Sequence, residues 1–279
     1  MYNANINQTT YIVMNPTNEL YAPLIEAYNH FNSALFENKL PNVIFTLQRK
    51  KGVLGFFSAK RWGNTKGNYC SEIAINPAYF ANSRMIEVLQ TLVHEMVHCW
   101  QFCYGKPNNV HYHNMEWAKK MISVGLMPST TGEPGGKITG KGMSDFIIKD
   151  GKFMSLVTEL LGGDNFHLMW VDRYSLPKLF DPVIADTALN DTQLVEQTGN
   201  PDSIEFENIE YLSDYEGQET TVASEIAAQN LPETFLIQEV AKKQTRTRYI
   251  CPNCETKLYG KMHLNIVCGD CNNRFISDN

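Results

Sequence analysis

His94-Glu95-Met96-Val97-His98 restricts this chain more than any other feature, because these five residues serve a common purpose only if they are helical. Four residues advance about 400°, so both imidazoles leave one helix face a turn apart, able to grip a single ion while Glu95 projects beside it. The flanking sequence agrees. Met85, Leu89, Leu92, Met96 and Cys103 trace an apolar stripe to a stop at Gly105-Lys106-Pro107; Ser83 reads as the N-cap, and Glu87 suits the positive end of the helix dipole. Upstream, residues 17–37 carry Leu20, Leu24, Ala27, Tyr28, Phe31 and Leu35 at helical spacing, which predicts an N-terminal packing helix. NVIFTLQRK, VLGFFSAKRW and SEIAINPAYF are short, β-branched and aromatic, and predict a small antiparallel sheet. A second helix is expected over Asn114 to Val124, ending at Gly125. The glycine-rich TTGEPGGKITGKG beyond it reads as a mobile loop or turn, and residues 151–174 as a helix and a strand near FHLMWVDRY. LPETFLIQEVA reads as a short helix. The fold class is α+β.

The spacing of the two histidines defines a chemistry. Zinc accepts imidazole nitrogens at roughly 2.0–2.1 Å, and a catalytic zinc takes a third protein ligand and leaves its fourth position to water. Such a metal lowers the water's pKa towards about 7 and polarises a carbonyl, while a carboxylate such as Glu95 moves the proton as general base. The reaction class is hydrolysis. For the third ligand, the segment HYHNMEW offers His111, His113 and Glu116, and spacing alone does not choose among them.

Four of the seven cysteines form two knuckles, Cys251-Pro252-Asn253-Cys254 and Cys268-Gly269-Asp270-Cys271, with thirteen residues between them. That pattern fits a closed tetrahedral site of four thiolates. A module this small cannot build a sufficient core, so zinc is expected to supply much of its folding free energy, of order 10 kcal/mol. His263, between the knuckles, is surplus to the four thiolates. Cys70, Cys99 and Cys103 read as free thiols.

The net charge of −6 averages over segments of opposite character. Between Phe180 and Ala241 lie 14 Asp or Glu and no Lys or Arg; the rest of the chain holds 24 bases against 16 acids, a formal +8. The acidic composition and weak periodicity predict three parts: a catalytic domain over residues 1–175, an acidic, largely disordered linker over 176–245, and a zinc ribbon over 246–279. Lys242, Lys243, Arg246, Arg248, Lys257, Lys261 and Arg274, with Tyr249, Tyr259 and Phe275 interleaved, could contact phosphates and stack on unpaired bases. With neither a signal peptide nor a membrane-length apolar run, the expected location is the cytoplasm, with no membrane partner.

His113-Asn114-Met115-Glu116-Trp117, fifteen residues after His98, resembles the His-Gly-x-x-Phe pattern that follows HExxH in the SprT-like family. Glu72-Ile73-Ala74-Ile75-Asn76-Pro77 resembles the strand that its members place before the catalytic helix. The similarity covers roughly residues 17–175 and, separately, the ribbon. It implies a zincin-like catalytic domain with His113 as third zinc ligand, and a metalloprotease acting on proteins at or near DNA. Spartan-like members cleave DNA–protein crosslinks. The implied partners are a protein substrate and single-stranded or duplex DNA, with nucleoid association. Other members have been described as transcription elongation proteins, which makes a non-catalytic, nucleic-acid-associated scaffold the alternative. Two positions depart from the pattern: Asn114 stands for Gly, a position where Asn tolerates a left-handed backbone, and Trp117 stands for Phe.

Two zinc ions per chain are expected by elemental analysis, falling to one when His94 and His98 are both replaced by Ala. A single ion in the intact protein would overturn the two-site reading.

Overall fold

The computed structural model describes residues 15–108, 112–163, 166, 168, 170–212, 237–238 and 247–278. The chain forms two compact units, Met1–Gln238 and Glu239–Asn279, of mixed α+β structure with small sheets.

Helix α1 (Pro16–Phe36) begins where the Asn15 side chain accepts from the Thr17 amide, with proline at the first helical position. Leu24, Ala27, Tyr28 and Phe31 on its inner face are buried. Strands β1 (Ile44–Leu47), β2 (Gly55–Gly63) and β3 (Tyr69–Ile75) form a sheet of order β1-β3-β2. The sheet is mixed, correcting the antiparallel expectation: β2 and β3 form an antiparallel hairpin, whereas β1 runs parallel to β3 on its other side. The physical reason is the apolar content of Ile73-Ala74-Ile75. Buried throughout, this stretch belongs at the centre, and the chain after β1 crosses to the far edge to begin β2.

Helix α2 (Met85–Tyr104) follows a short 3-10 turn and lies in the core through Ile86, Leu89, Leu92, Val93, Met96 and Val97. Ser83 does not cap it. The Ser83 hydroxyl donates to the Tyr79 carbonyl of the preceding turn, and Arg84 takes the cap position, its amide donating to the Glu87 carboxylate. Next come β4 (Tyr112–His113) and α3 (Met115–Ser123), capped by Asn114, whose side chain accepts from the Trp117 amide at 3.0 Å. Asn114 is extended (φ −91°), so its value at this position is the cap and not left-handed tolerance.

Strands β5 (Leu126–Ser129), β6 (Gly140–Lys141) and β7 (Ser144–Ile148) lead to α4 (Lys152–Leu161) and β8 (Tyr174–Ser175). The glycine-rich stretch is ordered enough for β6 to pair with β4, setting Gly140 opposite His113.

The acidic segment departs most from expectation. Strands β9 (Val183–Asp186) and β10 (Glu207–Tyr211), with α5 (Asp191–Gln197) between them in the chain, complete a four-stranded sheet of order β10-β9-β7-β5, with β9 parallel to β7. Val183, Ile184, Ala185, Leu194 and Leu212 are buried, while Glu207 and Glu210 face solvent. A few apolar residues suffice because β7 already provides a paired edge and a core to cover. The Leu212 carbonyl also accepts from the buried Arg84 guanidinium at the start of α2. The remainder of the expected linker, residues 213–236 and 239–245, lies outside the described residues. Within LPETFLIQEVA the described pair is β11 (Ile237–Gln238), a strand parallel to β8 and not a helix.

In the second unit, β12 (Thr247–Ile250), β13 (Lys257–Gly260) and β14 (Ile276–Asp278) form an antiparallel sheet of order β13-β12-β14. Its core is Tyr249, Cys251, Cys268 and Phe275. Among the described residues, no helix is long and apolar enough to cross a membrane.

Gly125 ends α3 at φ +92°, and a Cβ there would lie 2.7 Å from the Phe153 amide nitrogen and 2.9 Å from that of Lys152. Left-handed strain and backbone overlap together should make Gly125→Ala cost about 2 kcal/mol or more. At about 2–4 °C per kcal/mol for a domain of this size, thermal unfolding should show a midpoint lowered by about 5 °C.

Candidate metal centres

Because α2 buries one face against the core, His94 and His98 emerge together on the other, and β4 brings His113 to meet them. The ligand-capable nitrogens of the three imidazoles lie within 4.8 Å of one another. His98 Nε2 and His113 Nε2 are 3.1 Å apart. Tetrahedral ligands on bonds of about 2.0–2.1 Å sit about 3.3 Å from each other, so this donor set fits one ion.

The fold holds the far nitrogens of two of these rings. His94 Nδ1 lies 2.8 Å from Asp145 Oδ2 on β7, which leaves Nε2 for a ligand. Gln90, one turn before His94, donates its amide to Asp145 Oδ1 at 2.8 Å. His113 Nδ1 lies 3.2 Å from the Gly140 carbonyl, supported by the β4–β6 pairing. Trp117 of α3, fully buried, packs against all three rings, with centroids 5.1, 5.3 and 4.4 Å from those of His94, His98 and His113.

The structure separates the three candidates for the third ligand. His113 joins the cluster. Glu116 turns towards the end of α2, where its carboxylate accepts from Gln101 Nε2 at 2.9 Å and the Lys106 amide at 2.6 Å. His111 lies outside the described residues.

Burial dominates the electrostatics. It pushes Glu95 up to about 7, aided by the Asp145 charge and opposed by His94 and a backbone hydrogen bond from Phe57. Burial, then repulsion from His94 and His113, holds His98 well below the usual imidazole range, favouring the neutral form that binds metals. Burial also pulls on His94, but the Asp145 hydrogen bond and the Glu95 and Asp145 charges outweigh it and raise the pKa. Strand β2 passes close to this turn at Gly55, where a Cβ would lie 2.8 Å from Thr91 Cγ2 and 3.4 Å from Glu95 Cγ.

The thiols of Cys251, Cys254, Cys268 and Cys271 also lie within 4.8 Å of one another, with Cys254 and Cys268 Sγ 3.6 Å apart. The two knuckles are built alike. Glu255 and Asn272, each just past a second cysteine, are left-handed (φ +57° and +54°) and donate to the Cys251 and Cys268 carbonyls, both at 2.9 Å. The Thr256 hydroxyl, 3.2 Å from Cys254 Sγ, helps draw that thiol down to about 6. Cys271, despite a hydrogen bond from Asn253 acting in the same direction, is pushed up to about 11 by Cys254, then by desolvation and Cys268. Four thiols this close resist ionising together, and a dication offsets their repulsion. Cys99, by contrast, lies in the core, where burial and then Cys103 push its thiol up to about 12.

The ribbon's expected nucleic-acid contacts divide. Lys257, Lys261 and Arg274 are exposed and Arg248 is half-buried, while Lys242, Lys243 and Arg246 lie outside the described residues. Tyr249 is corrected: it is buried, donates its hydroxyl to the Lys261 carbonyl and accepts from the Leu264 amide, so it is part of the ribbon's core. Sequence reasoning missed Asp145, Gln90 and Gly140. An acid opening the apolar run Asp145-Phe146-Ile147-Ile148 was the available signal, but its partner stands 51 residues away.

Fold and site together define an α+β protein with two side-chain clusters, three imidazoles and four thiols, each able to hold a metal ion. Residues 24–133 match the model of the SprT-like family, and the chain belongs to that family, which is associated with metallopeptidase-like domains. A Salmonella typhimurium protein described as an uncharacterised protein in the mucB 3′ region is 44% identical over 54 residues, 19% of this chain and 73% of that protein. No solved structure matches.

Asp145→Ala removes the group that orients His94. It should weaken metal binding at the histidine cluster about 10- to 100-fold while leaving the cysteine cluster loaded, as read by competition with a chelator of known affinity. Equal loss at both clusters, or none, would contradict the assignment.

Proposed function

We propose that this protein is a zinc-dependent metallopeptidase of SprT-like, zincin-like type that hydrolyses proteins at or near DNA. The observation that carries the reading is a buried carboxylate, Glu95, on the same helical turn as two imidazoles that converge with a third. His94, His98 and His113 would hold the zinc, which when bound supplies Lewis-acid polarisation of a peptide carbonyl and an attacking water. Glu95 takes the proton from that water and returns it to the leaving amine. Burial raises its pKa, which strengthens it as a proton acceptor. Asp145 and Gly140 fix the ring orientations of His94 and His113, and Trp117 backs all three rings. Gly55 lets β2 lie close enough for the Phe57 amide to hold the Glu95 carboxylate.

In this reading the four cysteines hold a second zinc that stabilises the ribbon, and the ribbon's exposed Lys257, Lys261, Tyr259 and Arg274 contribute to nucleic-acid attachment. The family and the Glu95 geometry favour an enzyme over a scaffold that uses zinc only structurally.

Glu95→Gln should retain both metals yet lose at least about 100-fold in cleavage of a DNA-crosslinked protein, measured by gel with and without single-stranded and duplex DNA. Cleavage at the parental rate would remove Glu95 as general base. A parent protein inert under every condition would favour the scaffold.

A further inference from the structure

Between Asn38 and Ser71 the chain carries seven Lys or Arg and no acid. Lys39 pairs with Glu37 and Arg49 with Asp172; among the described residues, Lys60, Arg61 and Lys66 form no ion pair. These three are exposed on the β2–β3 hairpin, together with two aromatic rings, Trp62 at 44% and Tyr69 at 71% exposure. The backbone is shaped to present them. Ser58 pairs with Glu72 and Trp62 with Cys70, so Ala59, Lys60 and Arg61 bulge opposite Ser71 alone. Lys60 sits at φ +48°, a conformation rare for an L side chain, and its amide donates to Ser71 Oγ at 3.1 Å. A bulge breaks the two-residue alternation, and Ala59, Lys60, Arg61 and Trp62 are all exposed in succession.

The hairpin is joined to the histidine site. Phe102 continues the series of positions 94 and 98 along α2, and both the Phe57 ring and the Lys60 ammonium lie 5.9 Å from its ring centroid. The cationic bulge thus stands one helical turn beyond His98.

We infer that this hairpin is a binding surface for single-stranded nucleic acid: Lys60, Arg61 and Lys66 meet phosphates, and Trp62 and Tyr69 offer faces for unpaired bases. Exposed planar rings among cations favour nucleic acid over an acidic peptide, which would need the charge but not the stacking. The surface belongs to the larger unit and does not depend on peptidase activity, so binding is measured in both parent and Glu95→Gln proteins.

The test is fluorescence anisotropy of the full-length, zinc-loaded chain with a fluorescein-labelled strand of about 20 nucleotides, longer than one such site. Replacing Lys60, Arg61 and Lys66 together by Ala should weaken binding at least tenfold and lower the log–log salt slope by about 2. Trp62→Ala should weaken it about fivefold or more with the slope unchanged. Photocrosslinking of a bromodeoxyuridine strand to the unmodified protein, which needs no variant to fold, should label residues 62–66. Parental affinity in both variants, labelling confined to residues 247–278, or an equal loss for a polyglutamate peptide would overturn the proposal.

Discussion

The contact between His94 and Asp145 ties the two halves of the larger unit together at the place where the candidate chemistry sits. His94 belongs to α2 and Asp145 to β7, in the second sheet; Gln90 doubles the link, its side-chain amide reaching both the carboxylate and the carbonyl of Asp145. An imidazole able to rotate is a poor ligand, and a helix supplies no partner for its second nitrogen. The second sheet supplies one for His94, and the strand pair β4–β6 supplies one for His113. Trp117 fills the space behind the three rings, so the backing of the site is also part of the core.

Seen from that contact, the acidic segment has a structural purpose. Strand β9 lies along β7, and Leu212 meets Arg84 at the beginning of α2, so residues long past the histidines brace both the strand that carries Asp145 and the helix that carries His94. Lys178 adds a hydrogen bond to Glu87 in the same first turn. Among the segment's described acids, Glu196, Asp202, Glu205, Glu207 and Glu210 are exposed, where they cost little and make the surface negative. Residues 38–71, which take in β2 and its turn, are the opposite case, a run of cations with no acid among them. A formal charge of −6 describes neither surface.

The smaller unit follows another rule. Its core holds Tyr249 and Phe275 around two cysteines, too little apolar area to fold by burial alone. Matching left-handed residues after each knuckle turn four thiols to one point, where a metal would join the two turns.

The helix over HEMVH, its two imidazoles on one face, the packing helix before it and the pairing of the two cysteine knuckles were legible in the sequence. Each depends on residues within a turn or two of one another, where helical or turn geometry follows from spacing. The parallel place of β1, the pairing of β9 with β7 and the partnership of His94 with Asp145 were not. They are decided between residues tens of positions apart, and the apolar triplet Val183-Ile184-Ala185 becomes a strand only because β7 presents an edge to it. Local spacing determined what could bind a metal; tertiary packing decided that His113, and not Glu116, completes the group, because Gln101 and the Lys106 amide already hold the Glu116 carboxylate while Gly140 holds His113 in place.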